Sequence, residues 1–146
     1  PEAVEALHDL AWSFAASEDP RVLDPEGAVP LAQKLGALTH YGHRRSTKGA
    51  PWSILYKIKA SQTLAVANAG AANFSRAREY SQHALELSER WAETLDDPVE
   101  LAEVEALAAF SRRLVSLVEA GSPYRGPLPH TWPVGRPWLT DDTASR

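Results

Sequence analysis

The chain has 146 residues, enough for one compact domain or a short repeat array, with 44% hydrophobic residues and a net charge of −4. Cysteine is absent, which excludes disulfides, thiolate catalysis, cysteine zinc sites and covalent haem attachment. From Gly27 to Arg78 there is no acid, while Lys34, Arg44, Arg45, Lys48, Lys57, Lys59, Arg76 and Arg78 make a basic block. All 19 acids lie outside it, so a basic middle is set between acidic flanks, an asymmetry that concerns partners rather than fold.

The N-terminal Pro1-Glu2-Ala3-Val4-Glu5 carries no basic region followed by an apolar one. No signal peptide is visible in this stretch; the sequence leaves the compartment open, with the cytoplasm slightly favoured. The longest uncharged run, Ala60 to Ser75, is too short and too polar to cross a bilayer, so no membrane span is expected.

In chain order, helical spacing first appears over about 2–17, where Val4, Leu7, Leu10, Ala11, Phe14 and Ala15 share a face. Asp24-Pro25 restarts the pattern as an N-cap and a first-position proline, giving a second helix over about 25–40 that buries Val29, Ala32, Leu35 and Leu38. Gly42 to Ala50 reads as a polar, basic loop. Pro51 opens a third helix, about 51–71, carrying Trp52, Leu55, Tyr56, Ile58, Leu64 and Ala65. Asn73 turns the chain and caps a fourth, about 74–95, with Ala77, Tyr80, Ala84, Leu87, Trp91 and Leu95 on its apolar face.

Asp97-Pro98-Val99-Glu100 combines an N-cap, a first-turn proline and a capping-box acid. It opens a fifth helix, about 98–120, which buries Leu101, Val104, Leu107, Ala108, Leu114, Val115 and Val118 and stops at Gly121. Beyond it, five prolines between Pro123 and Pro137 forbid a helix and favour extended geometry. Tyr124, Trp132 and Trp138 are the aromatic residues there that could anchor such a tail.

The run from Ala72 to Leu87 resembles the second half of a tetratricopeptide repeat (TPR). Ala72 stands at the turn where that family usually has Gly, Phe74 at the turn aromatic, Ala77 and Ala84 at the small contacts, and Leu85 and Leu87 beyond them. Leu64 and Ala65 match the large–small pair of the preceding helix. Asn68, Ser81 and Glu89 depart from the pattern. Leu10, Ala11, Phe14, Ala28 and Leu35 make a looser first unit, and the runs 10–20 and 119–125 are similar to the terminal repeats of bacterial TPR proteins.

The resemblance implies an all-α fold. Residues 1–121 would form two antiparallel hairpins and a fifth capping helix, a short α-solenoid, with 122–146 an extended docking tail. It further implies a groove lined by the first helix of each unit: Glu5, His8, Trp12 and Ala15, then Lys59, Gln62, Val66 and Ala69. The cluster of Lys and Asn with which some relatives clamp a C-terminal carboxylate is missing.

No catalytic motif is present: there is no glycine-rich phosphate loop, nucleophile elbow or His-Glu-x-x-His. His40-x-x-His43 has metal-compatible spacing but no third ligand. Glu5-x-x-His8 has the form of a di-iron ligand pair but occurs once where two are needed, so neither metal nor cofactor is expected. Glu86, Glu89, Glu93, Glu100, Glu103 and Glu105 read as a solvated acidic face.

The expected function is therefore a non-catalytic scaffold or accessory subunit, within a larger complex or a homo-oligomer, that binds a protein partner through the groove or the tail. The first alternative is an anion- or nucleic-acid-binding module using the basic 40–59 segment, above all Arg44, Arg45 and Lys48 with Tyr41, Trp52 and Tyr56 nearby. Nucleic acid is disfavoured by overall acidity. The second is self-association of the basic middle with the acidic flanks of another copy.

Overall fold

The computed structural model describes residues 2–45 and 51–127. They form five helices, α1 (Glu2–Ala16), α2 (Pro25–Arg45), α3 (Pro51–Gly70), α4 (Phe74–Glu93) and α5 (Pro98–Glu119), with no strand among the described residues. The chain is all-α.

Short-range chemistry sets most of the helix ends. Asp24 Oδ1 accepts from the Gly27 N–H at 3.1 Å, Asn73 Oδ1 from Arg76 at 3.3 Å and Asp97 Oδ1 from Val99 at 3.0 Å, each satisfying an N–H that a helix start leaves unpaired. Two helices end in the same double hydrogen bond. After α5, Ser122 N–H bonds Leu117 O at 2.9 Å and Gly121 N–H bonds Val118 O at 3.0 Å; after α3, Asn73 N–H bonds Asn68 O at 2.7 Å and Ala72 N–H bonds Ala69 O at 3.0 Å. The residue between needs a left-handed backbone. Gly121 supplies it at φ 68°, whereas Ala72 adopts it at φ 65° against its Cβ.

One boundary differs from expectation. α2 runs on to Arg45, so Gly42, His43, Arg44 and Arg45 continue its backbone instead of opening a loop. A single glycine weakens a helix by about 1 kcal/mol but does not break it.

Each helix packs on the next in sequence, and α3 touches all four others, joining α1 on one side to α5 on the other. Accordingly every residue from Ile58 to Ala69 is buried. The run is rich in Ala, Ser and Thr, which let neighbouring helices approach on all sides. Two of its polar groups bond back to the helix: Thr63 Oγ1 donates to Lys59 O at 2.9 Å and Asn68 Nδ2 to Leu64 O at 2.8 Å.

On α1 the buried face is His8, Ala11, Trp12, Ala15 and Ala16, while Leu10, expected inside, is 46% exposed. The helix is turned by having to meet both α2 and α3. On α2, Leu38 is likewise exposed, and Ala28, Ala32 and Leu35 carry the contact. On α5, Phe110 joins the buried set, while Leu101 and Val115 are only half-buried.

Candidate functional site: the α1–α3–α5 face and the segment seated on it

Residues one helical turn apart on α1 bring Glu5, His8 and Trp12 onto one stripe, and Tyr56, Lys59, Gln62 and Val66 make the equivalent stripe on α3. The two stripes meet. Tyr56 donates its hydroxyl to Glu5 Oε1 at 3.3 Å, and the His8 and Trp12 rings stack with centroids 6.1 Å apart. On the other side of α3, Gln62 Nε2 donates to Leu107 O at 3.2 Å and to Ser111 Oγ at 3.0 Å, tying α3 to α5 through a buried amide. The expected groove residues are therefore brought together, but not as an open wall. His8, Trp12, Lys59, Gln62 and Val66 are all buried, as are Ala15 and Ala69, and Glu5 alone is partly exposed. Packing of α3 against both neighbours closes what a free pair of hairpins would leave open.

Burial has electrostatic consequences here. It pushes the Lys59 amine down to about 7, against the opposing pull of Asp9 and Glu5. Burial, aided by the Lys59 charge, pushes His8 down to about 4, although Asp9 works the other way. The imidazole is therefore neutral at pH 7, and its approach to within 3.6 Å of Asp9 Oδ1 is not an ion pair there. Burial also lifts the Tyr56 hydroxyl to about 12, with the Glu5 charge and hydrogen bond adding to it. No group of three or more His, Cys, Asp or Glu side chains among the described residues could hold a metal ion.

At the far end of the same face the chain returns to itself. After Gly121, residues 122–127 leave the helical path and Tyr124 enters between α1 and α5, 6% exposed. Its ring lies 5.7 Å from Trp12 and 5.3 Å from Phe110, both edge-on, and Trp12 and Phe110 are themselves 5.9 Å apart. The Arg113 guanidinium sits 5.3 Å from the same ring centre. Backbone bonds complete the seat: Gly126 N–H donates to Ala16 O at 2.8 Å, a carbonyl that the helix end leaves free, and Trp12 Nε1–H donates to Gly126 O at 3.3 Å. Tyr124 Oη donates to Pro127 O at 3.0 Å, folding the segment over its own ring. Gly126 is required at this bend: its φ is 153°, and a Cβ would lie 3.0 Å from Tyr124 Oη. Beyond the seat a cleft of about 610 Å³ is bounded by Asp9, Trp12, Ser13, Ser17, Glu18, Gly126 and Pro127.

Of the three expected tail anchors, Tyr124 is this central ring, while Trp132 and Trp138 lie outside the described residues. Arg44 and Arg45 close α2, but their side chains, like all of Lys48, also lie outside them. His40 and His43 fall on the α2 backbone. On the acidic face, Glu86 and Glu89 pair with Arg90 and Arg112 at 3.5 and 3.6 Å, ordinary surface ion pairs.

Phe110, Ser111, Arg113 and Gly126 did not stand out in the sequence. The Leu107-Phe110-Ser111-Leu114 spacing carried the signal for the first two. Nothing local marked the others. No helix among the described residues is long and apolar enough to cross a membrane. Comparison with family models, with curated proteins and with solved structures gives no match to the chain.

Proposed function

We propose that this chain is a non-catalytic protein-interaction module of two TPR-like hairpins and a capping helix, and that its α1–α5 seat takes an extended, proline-flanked aromatic segment. The observation that carries this reading is the segment Ser122–Pro127. A non-helical stretch is held there by an aromatic ring set edge-on against two others and by hydrogen bonds at both the N–H and the C=O of Gly126, which is the way extended peptides are gripped. The helix order supports the hairpin reading: α1 with α2 and α3 with α4 are sequential pairs, and α1, α3 and α5 connect through α3. Ala65, Ala77 and Ala84, the small contacts of the TPR resemblance, are fully buried.

In this arrangement the chain's own segment holds the seat, and a partner segment of the same character competes for it. The test is cross-linking and affinity capture from the native cell, comparing wild type with Tyr124→Ala. One dominant protein, cross-linked near Ser13 and captured more strongly by the variant, is the expected result. Capture that is indifferent to Tyr124 but lost on nuclease treatment, or in Arg44→Glu/Arg45→Glu/Lys48→Glu, would move the function to the basic segment.

A further inference from the structure

The segment that holds the seat shows what the seat can distinguish. A helix leaves its last four carbonyls without partners inside the helix, and every one of these in α1 is met. Ser17 N–H donates to Ser13 O at 3.1 Å and Asp24 N–H to Phe14 O at 2.7 Å, both from the connection to α2. The other two are met by the returning segment: Arg125 Nη1 donates to Ala15 O at 3.5 Å and Gly126 N–H to Ala16 O at 2.8 Å. A guanidinium thus stands at the negative end of the α1 dipole, where a cation is favoured.

Three consecutive residues are each held in a different way. Tyr124 is buried against Trp12 and Phe110, with the Arg113 guanidinium 5.3 Å from its ring centre. Arg125 is half-buried, and its Nη1 also donates to Tyr124 O at 3.1 Å, so the guanidinium lies back along the backbone. Gly126 is buried and hydrogen-bonded at both its N–H and its C=O. It bends at φ 153°, where a Cβ would come within 3.0 Å of Tyr124 Oη and 3.2 Å of Cζ. Pro123 and Pro127, by contrast, are exposed; they favour extended backbone without being gripped themselves.

Given that this face is a seat for extended segments, as proposed, we infer that it selects a tripeptide core, Tyr-Arg-Gly, and that its partner is a protein carrying an exposed segment of that order: aromatic, basic, glycine. The aromatic fills the place between Trp12 and Phe110. The cation caps the end of α1, beside Asp9 and Glu18 on the adjoining cleft, which carry the complementary sign. Glycine alone permits the bend that turns the next carbonyl onto the phenol hydroxyl.

The test is a titration of the full chain carrying Tyr124→Ala, with the Trp12 indole N–H resonance followed. The probes are the hexapeptide matching residues 122–127 and its Tyr124→Phe, Arg125→Lys, Arg125→Glu and Gly126→Ala forms. The parent peptide binds saturably. Gly126→Ala weakens it by roughly tenfold or more, Arg125→Glu by about tenfold, and Arg125→Lys and Tyr124→Phe by only a few-fold. The same substitutions made singly in the whole chain, Tyr124 otherwise kept, rank the hydrogen-exchange rate of the Trp12 indole N–H in the same order, which reads the selectivity even where Tyr124→Ala fails to fold. Equal binding of the parent, Gly126→Ala and Arg125→Glu peptides would overturn the selectivity and leave the seat standing. Binding by none of them, with exchange indifferent to all four changes, would overturn both.

Discussion

Tyr124 stands edge-on to Phe110, with the ring planes at 88° and the centroids 5.3 Å apart, and it is edge-on to Trp12 as well. Phe110 belongs to α5 and Trp12 to α1, and these two rings also meet each other, with centroids 5.9 Å apart. One aromatic side chain from an irregular segment thus completes a cluster of three rings between these two helices. It also covers the buried Trp12 and Phe110 rings, 5% and 6% exposed.

Removing that ring is costly in a specific way. Tyr124→Ala is expected to lower unfolding free energy by about 2–4 kcal/mol, through lost apolar burial and a cavity between Trp12 and Phe110. Tyr124→Phe keeps the ring and loses only the hydrogen bond to Pro127 O, at about 0.5–1.5 kcal/mol. Urea denaturation of both variants checks the ratio; equal losses would mean that the hydroxyl, not the ring, holds the segment.

Gly126→Ala tests the bend independently of the ring. The backbone there is closed to residues with a Cβ, and the added methyl would meet Tyr124 Oη at 3.0 Å and Cζ at 3.2 Å. The expected cost is about 1–3 kcal/mol. Faster hydrogen exchange at the Trp12 indole N–H, with α3 amides unchanged, would locate that cost at the seat.

Ala72→Gly is expected to stabilise. Ala72 holds the left-handed position of the α3–α4 turn at φ 65°, where Gly121 sits in the equivalent turn after α5. Relief of the Cβ strain, about 1–2 kcal/mol, exceeds the entropy that glycine restores to the unfolded chain, about 0.4–1 kcal/mol. A thermal midpoint raised by a few degrees is the measurable outcome, and a lowered one contradicts it.

The buried charges give stability a definite pH dependence. Lys59 is lowered from 10.5 to about 7 and His8 from 6.5 to about 4, so both bind protons less readily folded than unfolded. The contribution of each is full above its unfolded value and is lost as pH falls, for Lys59 from 10.5 down through 7 and for His8 from 6.5 down through 4. Tyr56 is raised from 10.0 to about 12, and its contribution runs the other way, full below 10.0 and lost as pH rises through 12. Stability should therefore climb between about pH 5 and pH 9. Lys59→Met should flatten the upper part of that climb and raise stability at neutral pH by about 1–2 kcal/mol. A variant with the wild-type pH profile would remove Lys59 from the account.

The helix starts were legible because their causes are local: Asp24 before Pro25, Asn73 before Phe74 and Asp97 before Pro98 each place a cap within three residues of the N–H it satisfies. The end of α2 was not, because Gly42 resembles a stop while the residues around it keep the helix going to Arg45. The orientation of α1 was also hidden. Helical spacing puts Leu10 on the buried face and the resemblance puts His8 in an open groove, whereas contact with two helices at once buries His8 and leaves Leu10 in solvent. Tyr124 stood out as an aromatic among prolines, but its seat depends on Trp12, 112 positions earlier, joined through a hydrogen bond to Gly126 that no local pattern encodes.

The most direct measurement is peptide binding in trans. The full chain carrying Tyr124→Ala is titrated with a synthetic peptide, Ser-Pro-Tyr-Arg-Gly-Pro, matching residues 122–127, while the Trp12 indole N–H resonance is followed. Saturable recovery of the wild-type Trp12 signal in the variant, with little response from wild type whose seat is already held, is the predicted result. A Trp12 signal that never recovers, or a wild-type chain that responds as strongly as the variant, would contradict the claim that this face is a seat for extended protein segments.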